Sequence, residues 1–385
     1  MPGLRYLNET SGYAQTGLLN GENMKTWKLI GGIALVVAAF AVALLFAPSK
    51  TEKESRNTVQ SLMIRYGSEK EGFLNSPDLQ KILKEKYHIA VEGAKRGSLE
   101  IAEGGLTGVD ALWPSSELAE AVFKKSNPNI ACKSQNIFNT PIVFYSWPEV
   151  TESLIKQGVV EKRGNAYYVV LMKKYIQMMV EGRTWKDIGL ERQTGRITIH
   201  STDPSKSNSG FLLTGLTAVI LNDGNMPDEE GLAQFLPVIQ ETYKRMGYLE
   251  SSTGILFDKY IKQGRGAFPL IAGYESQLIE FYQAHPNYQE QIKKMVRVLI
   301  PEPTVWSAHP LIALTKKGEK LLEALQHKDI QSLAWEKFGF RSGVMGLDND
   351  PGTLKAVGLP EQIDSVTLLP SWEVMDKILK ALEKR

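Results

Sequence analysis

The sequence predicts an α/β fold built as a two-lobed clamshell, and three observations lead to this fold class. Strand, polar turn and helix follow one another three times between residues 59 and 125, which indicates parallel strands joined by helical crossovers. Two extended, proline-flanked segments at residues 139–148 and 301–310 each carry a Trp and are suited to cross between lobes. The chain of 385 residues, 43% hydrophobic and 23% charged, is long enough for two lobes that each bury a core.

The first 57 residues differ in composition from the rest of the chain. Residues 1–28 are polar and rich in Gly and Asn, and we expect them to be disordered. Residues 29–48 carry no charge over 20 positions, enough for one transmembrane helix, and residues 49–57 form a charged linker. A cleaved signal peptide is the rival interpretation. Its best cut, after Ala47, would place Leu45 where a small residue is preferred, so we expect an uncleaved anchor.

The remaining elements are predicted from hydrophobic period and capping residues. Early in the chain we expect strands at 59–66, 89–93 and 109–113, and helices at 78–87 and 118–125. The middle of the chain predicts strands at 141–147, 196–200, 267–272 and 296–300, helices at 149–157, 211–221, 231–246, 252–264 and 273–282, and a mixed pattern at 167–180. Further helices are predicted at 311–325, 329–338 and 372–384.

The two crossing segments divide the chain into lobes of nearly equal size. Residues 58–140 and 310–385 together give lobe 1 about 160 residues, and residues 147–302 give lobe 2 about the same number, typical domain sizes. Residues 141–146 and 303–309 would then form the hinge. Such a plan allows closure around a ligand by hinge bending.

Small hydroxyl side chains recur where the predicted strands end. The clearest case is the stretch 201–210, which lies between a predicted strand and an apolar helix. In open α/β sheets ligands bind at the carboxyl ends of strands, beside helix N-termini that attract anions. The candidate ligand-binding residues are Ser68, Glu69, Ser98, Trp113, Ser115, Ser116, Ser207, Asn208, Ser209, Tyr274, Glu275 and Ser276.

Each of these side chains also has a simpler interpretation. A serine at such a position can cap its own helix and do nothing else. Glu69 and Glu275 are either solvated partners of a helix dipole or groups that recognise an amine or a hydroxyl. Trp113 is either a packing residue or a ligand-stacking one. We expect His309, before Pro310, to be a hinge or core histidine, and Arg341 to form a salt bridge.

Six short motifs carry a family resemblance. They are Tyr66-Gly-Ser-Glu-Lys-Glu-Gly72, Gly97-Ser-Leu-Glu100, Trp113-Pro-Ser-Ser116, Asp203-Pro-Ser-Lys-Ser-Asn-Ser-Gly210, Gly273-Tyr-Glu-Ser276 and Gly339-Phe-Arg-Ser-Gly343. Together they resemble bacterial extracellular solute-binding proteins of the type 2 periplasmic-binding fold, near the molybdate- and phosphate-binding kind. The resemblance implies a two-lobed fold with two crossover hinge strands and an oxyanion held by serine hydroxyls and backbone N–H groups. The family's lipid-anchoring cysteine is missing, and the predicted membrane helix stands in its place.

Composition and motifs exclude several function classes. A net charge of +2 argues against nucleic acid as a partner, and the sequence has no Walker loop, no Gly-x-Gly-x-x-Gly and no Cys/His metal spacing, so we expect neither cofactor nor metal. The sequence shows no Ser/His/Asp arrangement of the kind that catalyses hydrolysis, so we do not expect an enzyme. We therefore expect a membrane-tethered extracellular or periplasmic protein that captures a small polar ligand. We expect that ligand to be an oxyanion, which the protein delivers to an ABC-type permease or senses. The alternative is an envelope scaffold that uses the same fold to bind another protein.

Overall fold

A computed structural model describes residues 58–383 apart from Asp348. The predicted disordered segment 1–28, the predicted membrane helix 29–48 and the linker 49–57 lie outside the described residues. Among the residues that are described, no helix has both the length and the apolar composition needed to cross a membrane.

The strands confirm most of the predicted positions, with shifted ends. They are β1 Gln60–Tyr66, β2 Ile89–Lys95, β3 Ala111–Trp113, β4 Lys133–Ser146, β5 Val160–Arg163, β6 Ala166–Val169, β7 Leu270–Tyr274, β8 Arg297–Pro301, β9 Thr304–Ala313, β10 Arg341–Ser342 and β11 Val366–Thr367.

Most helices likewise lie within a few residues of their predicted bounds. They are α1 Glu71–Leu74, α2 Pro77–Tyr87, α3 Ser98–Glu103, α4 Glu117–Ser126, α5 Pro148–Lys156, α6 Met172–Val180, α7 Asn208–Leu221, α8 Leu232–Met246, α9 Thr253–Ala267, α10 Glu275–Ala284, α11 Gln289–Met295, α12 Lys316–Leu325, α13 Lys328–Phe338, α14 Gly352–Val357 and α15 Trp372–Glu383. Pro77 and Pro148 begin their helices at the first position, where a missing N–H costs nothing. Helix α7 is apolar on every side because it is buried throughout.

The sheet is mixed, and its two longest strands run through both lobes. The order is β2-β1-β3-β9-β4-β8-β6-β5, with β1 parallel to β2 and β3 as the alternation predicts. Strands β4 and β9 pair antiparallel from Lys133 opposite Ala313 to Pro141 opposite Trp306. From Ile142 onward β4 pairs with β7 and β8 instead. The change of partner therefore falls beside Pro141, between two separate sets of neighbours.

The buried apolar side chains form separate cores, which define the lobes. Lobe 1 is packed around residues 62–138 and 311–340, including Phe73, Trp113 and Phe138. Lobe 2 is packed around residues 142–305, with Tyr145 and Tyr260 among its fully buried side chains. The mixed α/β fold with two lobes agrees with the predicted fold class.

The C-terminal tail packs differently from the prediction, which assigns all of residues 310–385 to lobe 1. Helices α12 and α13 do contribute to the lobe 1 core. Helix α15 instead buries Val374, Met375 and Ile378 in the core of lobe 2, and Gln240 on α8 donates a hydrogen bond of 3.0 Å to the carbonyl of Ala381. The amphipathic pattern of α15 predicts a buried face, but the pattern contains no information about which lobe that face covers.

Two local predictions are also corrected. Residues 196–200 are not a strand, because they make only two isolated bridges, from Arg196 to Thr184 and from His200 to Ile271 of β7. Residues 311–313, predicted as the start of a helix, extend β9, where Leu311 and Ile312 are fully buried between strands. A short apolar run fits a buried strand and a buried helix equally well, so the sequence could not separate them.

Candidate functional site

A cavity of about 370 Å³ lies between the lobes, lined by turns at strand ends and by helix starts. We call it the interlobe cavity. Lobe 1 supplies the turn after β1 and the turn between β2 and α3, and lobe 2 supplies the segment before α7 and the start of α9. The lobes approach closely beside it, since a Cβ at Gly97 would lie 2.6 Å from the carbonyl oxygen of Lys206. Its polar lining includes Ser68, Glu69, Ser98, Lys206, Ser207 and Asn208.

Two long helices of lobe 2 begin at this cavity without a capping side chain. Ser207 precedes α7 and Ser252 precedes α9, both with extended backbone, and neither side chain accepts a hydrogen bond from its own helix. The first turn of a helix leaves backbone N–H groups without intrahelical partners and carries a partial positive charge. Both starts therefore offer donors toward the same space.

The hydroxyl of Ser207 is held by a cluster of other hydroxyl groups. Its Oγ lies 3.1 Å from Thr253 Oγ1 and 3.4 Å from Ser209 Oγ. Ser209 Oγ lies 2.5 Å from Thr253 Oγ1 and 2.8 Å from Thr202 Oγ1. This cluster links the starts of α7 and α9, so the two helix ends are fixed relative to one another.

Three cationic side chains line the cavity, each near a carboxylate. Lys95 contacts Glu71 at 2.7 Å, and Arg96 contacts Glu100 at 3.0 Å. Lys206 contacts Asp203 at 3.3 Å while about two-thirds of its side chain remains exposed. Exposed ion pairs of this kind hold their partners weakly, so these cations can turn toward a bound anion.

Beneath the cavity, a completely buried lysine uses all three of its N–H donors. Lys70 Nζ lies 2.5 Å from Glu69 Oε1, 2.7 Å from Ser115 Oγ and 3.0 Å from His309 Nδ1. It also lies 5.5 Å from the centre of the Trp113 ring, a cation–π distance. A buried ammonium is tolerated only when it is paired and hydrogen-bonded, and Lys70 meets both conditions.

The network continues from Lys70 into the hinge-side strand and across to lobe 2. His309 Nε2 lies 3.2 Å from Ser307 Oγ, and Ser307 Oγ donates to the carbonyl of Ser115 at 2.8 Å. From lobe 2, Asn208 Nδ2 lies 2.6 Å from the same carbonyl, 3.1 Å from Tyr274 Oη and 3.3 Å from Ser307 Oγ. The Asn208 amide therefore ties lobe 2 to lobe 1 at the wall of the cavity.

The charges of this network follow from its contacts. Burial disfavours a charged Glu69, but the Lys70 charge and the hydrogen bonds from Lys70 and Ser115 hold its pKa down at about 2. Burial lowers the pKa of Lys70, an effect that the Glu69 carboxylate opposes. Burial and the Lys70 charge lower the pKa of His309 well below 6.5. A neutral His309 can accept from Lys70 at Nδ1 and donate to Ser307 from Nε2, which matches the observed distances.

The structure brings most of the predicted ligand-binding residues together. Ser68, Glu69, Ser98, Ser207 and Asn208 line the interlobe cavity. Ser115 donates to Glu69 Oε1 and its N–H donates to Ser98 Oγ at 2.9 Å, so it lies directly behind the lining. Tyr274 and Ser209 are buried one layer deeper, against Asn208 and Ser207 respectively. Residues that are far apart in sequence thus converge on one space.

Four predicted residues take other places. Ser116 caps α4 by accepting from Ala119 N–H at 3.4 Å, although it also lines a narrow crevice with Asn208. Trp113 is fully buried, packs against Phe138 at 5.5 Å between ring centres, and does not line the cavity, which favours the packing interpretation.

Glu275 and Ser276 lie away from the cavity. The Glu275 carboxylate is completely buried and bound at both oxygens by Arg341, at 2.7 and 2.8 Å, which is the salt bridge expected for Arg341. Ser276 N–H donates to Thr140 Oγ1 at 3.2 Å. Consecutive residues in the first turn of a helix point in different directions, so Tyr274 faces Asn208 while its two successors do not.

Sequence reasoning missed Lys70, Thr253 and Ser307. Lys70 lies in the polar turn after β1, where a lysine is normally exposed, and only its position directly after Glu69 hinted at a pair. Thr253 and Ser307 carry no motif of their own. Among the described residues, no group of three or more His, Cys, Asp or Glu side chains could hold a metal ion.

Comparison with known proteins gives fold-level similarity. No protein-family model and no curated protein sequence matches this chain. The substrate-binding protein of an ABC transporter from Agrobacterium tumefaciens is similar with a TM-score of 0.54 and 16% identity, over 84% of this chain and 94% of that one.

Two further solved structures are similar over comparable lengths. Iron-bound HitA from Pseudomonas aeruginosa gives a TM-score of 0.52 and 12% identity over 84% of this chain and 98% of that one. The sulfate-binding protein SubI from Mycobacterium tuberculosis H37Rv gives a TM-score of 0.50 and 14% identity over 82% of this chain and 96% of that one. At such identities the similarity establishes the fold alone: this chain has the mixed α/β fold of two-lobed solute-binding proteins.

Proposed function

We propose that this protein captures a small anionic solute in the interlobe cavity. The observation that carries the proposal is that α7 and α9 both begin at this cavity, and that neither N-cap serine, Ser207 or Ser252, caps the first turn of its helix with its side chain. Helix starts of this kind bind anions through backbone N–H groups and the helix dipole. The rim cations Lys95, Arg96 and Lys206 add attraction for negative charge.

The mechanism is closure of the lobes around the solute. Contacts from both lobes meet at the cavity wall, where Asn208 of lobe 2 reaches the Ser115 carbonyl of lobe 1. A ligand that binds the closed arrangement better than the open one shifts the population toward closure. The bound solute would pass to an ABC-type permease, a role that the similarity to a substrate-binding protein of an ABC transporter suggests, or it would signal through a sensor.

We propose binding without catalysis, by a domain that lies outside the cytoplasm and is tethered by residues 29–48. The buried His309, whose lowered pKa keeps it neutral, is occupied at both ring nitrogens by Lys70 and Ser307, so it has no free nitrogen to act as a general base. The uncharged run of 20 residues supports the tether.

A ligand-induced rise in melting temperature tests the proposal. Any solute that binds the folded protein must raise the melting temperature by mass action. We expect a rise with at least one anion from a panel of inorganic oxyanions and small organic phosphonates, sulfonates and carboxylates. Replacing Ser207 and Ser209 with Ala should reduce that rise, whereas Ser126→Ala, at the exposed end of α4, should leave it unchanged. No rise with any anion would contradict the proposal.

A second candidate function is an envelope scaffold, favoured by the way the tail joins the lobes. Trp372 at the start of α15 packs against the cores of both lobes, and β11 pairs with β9 at Val366–Thr367. A strap of this kind restricts opening, which suits a protein-binding role better than a cycle of solute delivery. Unchanged transport in cells that carry the Ser207/Ser209 double variant, together with loss of a co-purified envelope protein, would support the scaffold.

A further inference from the structure

Among the described residues, two side chains that line the interlobe cavity each keep an acceptor oxygen without a donor. The first belongs to Glu69, whose contacts with Lys70, Ser115 and His309 all use Oε1. Among the described residues no donor reaches its Oε2. The side chain lines the interlobe cavity, is only 6% exposed, and stays ionised because its pKa is held low. An ionised carboxylate oxygen in such a place is a strong acceptor that lacks a partner.

The second unpaired acceptor comes from the opposite lobe. Asn208 also lines the interlobe cavity and is 8% exposed. Its Nδ2 faces the carbonyl of Ser115, which can only accept, so the amide orientation is fixed and Oδ1 points away. The buried Oδ1 has no hydrogen-bond partner in the described part of the chain. Leaving such an atom unpaired is unfavourable, and a ligand that donates to it removes that penalty.

From these two acceptors we infer that the solute carries a hydrogen-bond donor, an ammonium or a hydroxyl, in addition to its anionic group. This inference rests on the proposed function and narrows its ligand class. The anionic end belongs at the uncapped starts of α7 and α9, and the donor end belongs at Glu69 Oε2, beside the Asn208 amide. An anion without a donor would satisfy only one half of the cavity, because the ionised Glu69 oxygen would repel it.

The size of the cavity agrees with a ligand of this kind. A volume of about 370 Å³ is at the lower end of the range for small-molecule sites, and it exceeds what a bare inorganic oxyanion fills. The space left beside an anion at the helix starts accommodates a short organic chain with a polar end. The donor would then reach across from lobe 2 to Glu69 in lobe 1.

Nine small compounds test this inference in a matched set. Each compound carries one of three anionic groups, phosphonate, sulfonate or carboxylate, on a two-carbon chain. The far end of that chain carries a methyl, a hydroxyl or an ammonium group. Binding to the full chain is measured by thermal shift and by titration calorimetry, with sulfate, phosphate and molybdate alongside. For the preferred anionic group we expect the hydroxyl or ammonium compound to bind at least about tenfold more tightly than its methyl counterpart. A comparison of the affinities of the hydroxyl and ammonium compounds shows which of the two donors the site prefers.

A charge-matched pair of variants locates the donor contact. In Glu69→Gln, the ratio of the affinity for a donor compound to the affinity for its methyl counterpart should fall toward one. Glu100→Gln, which removes a carboxylate from the same cavity wall, should leave that ratio unchanged. If Glu69→Gln does not fold because Lys70 loses its partner, the ligand series on the unchanged protein decides alone. Methyl compounds or inorganic oxyanions that bind as tightly as the donor compounds would overturn the inference and leave the proposed function standing. If no compound and no oxyanion binds, the proposed function fails, and the inference fails with it.

Discussion

Replacing Glu280 with Gln should remove a pH-dependent loss of stability. Glu280 lies on α10 against α1 of lobe 1, where a Cβ at Gly72 would overlap its carboxylate. Burial, with a smaller contribution from the nearby Glu71 charge, raises the pKa of Glu280 from 4.5 to about 7. The carboxyl group therefore binds a proton more readily in the folded protein than in the unfolded chain.

The direction and the size of the effect follow from that difference. A carboxyl group with a raised pKa contributes stability that is complete below about pH 4.5 and is lost as the pH rises through about 7. At about 1.4 kcal/mol per pKa unit, the full effect is about 3 kcal/mol, of which about 2.5 kcal/mol falls between pH 5 and pH 8. Gln has nearly the same shape and no proton to lose, so Glu280→Gln should become the more stable protein as the pH rises.

Urea denaturation of the full chain between pH 5 and pH 8 measures this prediction. The quantity of interest is the difference in free energy of unfolding between the unchanged protein and Glu280→Gln, because the other titrating groups cancel in it. Glu290→Gln is the matched control, since Glu290 is 85% exposed beside Lys293. A difference for Glu280→Gln that stays constant from pH 5 to pH 8 would refute the reasoning, as would one that changes in the opposite direction.

The remaining predictions concern the fully buried ion pair and the helix contact beside Glu280. Lys70→Met should lower the free energy of unfolding by about 3–5 kcal/mol, because it leaves the Glu69 carboxylate buried without its cation; adding Glu69→Gln should restore part of the loss. A cost below about 1 kcal/mol in urea denaturation would contradict the network. Gly72→Ala should lower the melting temperature, because the new methyl group displaces the Glu280 carboxylate, whereas Gly105→Ala, with nothing within 4 Å, serves as the control. Equal melting temperatures for these two variants would show that the contact is unimportant.

Much of the fold could be predicted because its signals are local. The spacing of apolar residues predicted α2 to within one residue, and the repeated strand, turn and helix predicted the parallel pairing of β1 with β2 and β3. Serines at strand ends could be found in the same way, because the carboxyl ends of parallel strands share one edge of the sheet. Ser68 and Ser98, which follow β1 and β2, do line one cavity, and Ser207 lines it too although the strand predicted before it is not formed.

Other features of the candidate site depend on which elements meet. Glu69 and Glu275 look alike in sequence, each at a strand end beside a serine, yet one lines the interlobe cavity and the other is bound by Arg341 some 66 residues away. The tail helix α15 has a clear apolar face, and lobe 2 rather than lobe 1 covers it. No local pattern distinguishes these outcomes, because the partner in each case comes from a distant part of the chain.

The sequence by itself determined the elements, their alternation and the polar turns from which a site could be built, since these depend on backbone preference and on period along the chain. Only the tertiary structure decided that Lys70 is buried, that His309 and Ser307 complete its network, and that the buried Oδ1 of Asn208 has no hydrogen-bond partner among the described residues. The physical reason is that burial and hydrogen-bond partners are properties of the packed molecule. They raise or lower the free energy of a charge according to what lies beside it in space.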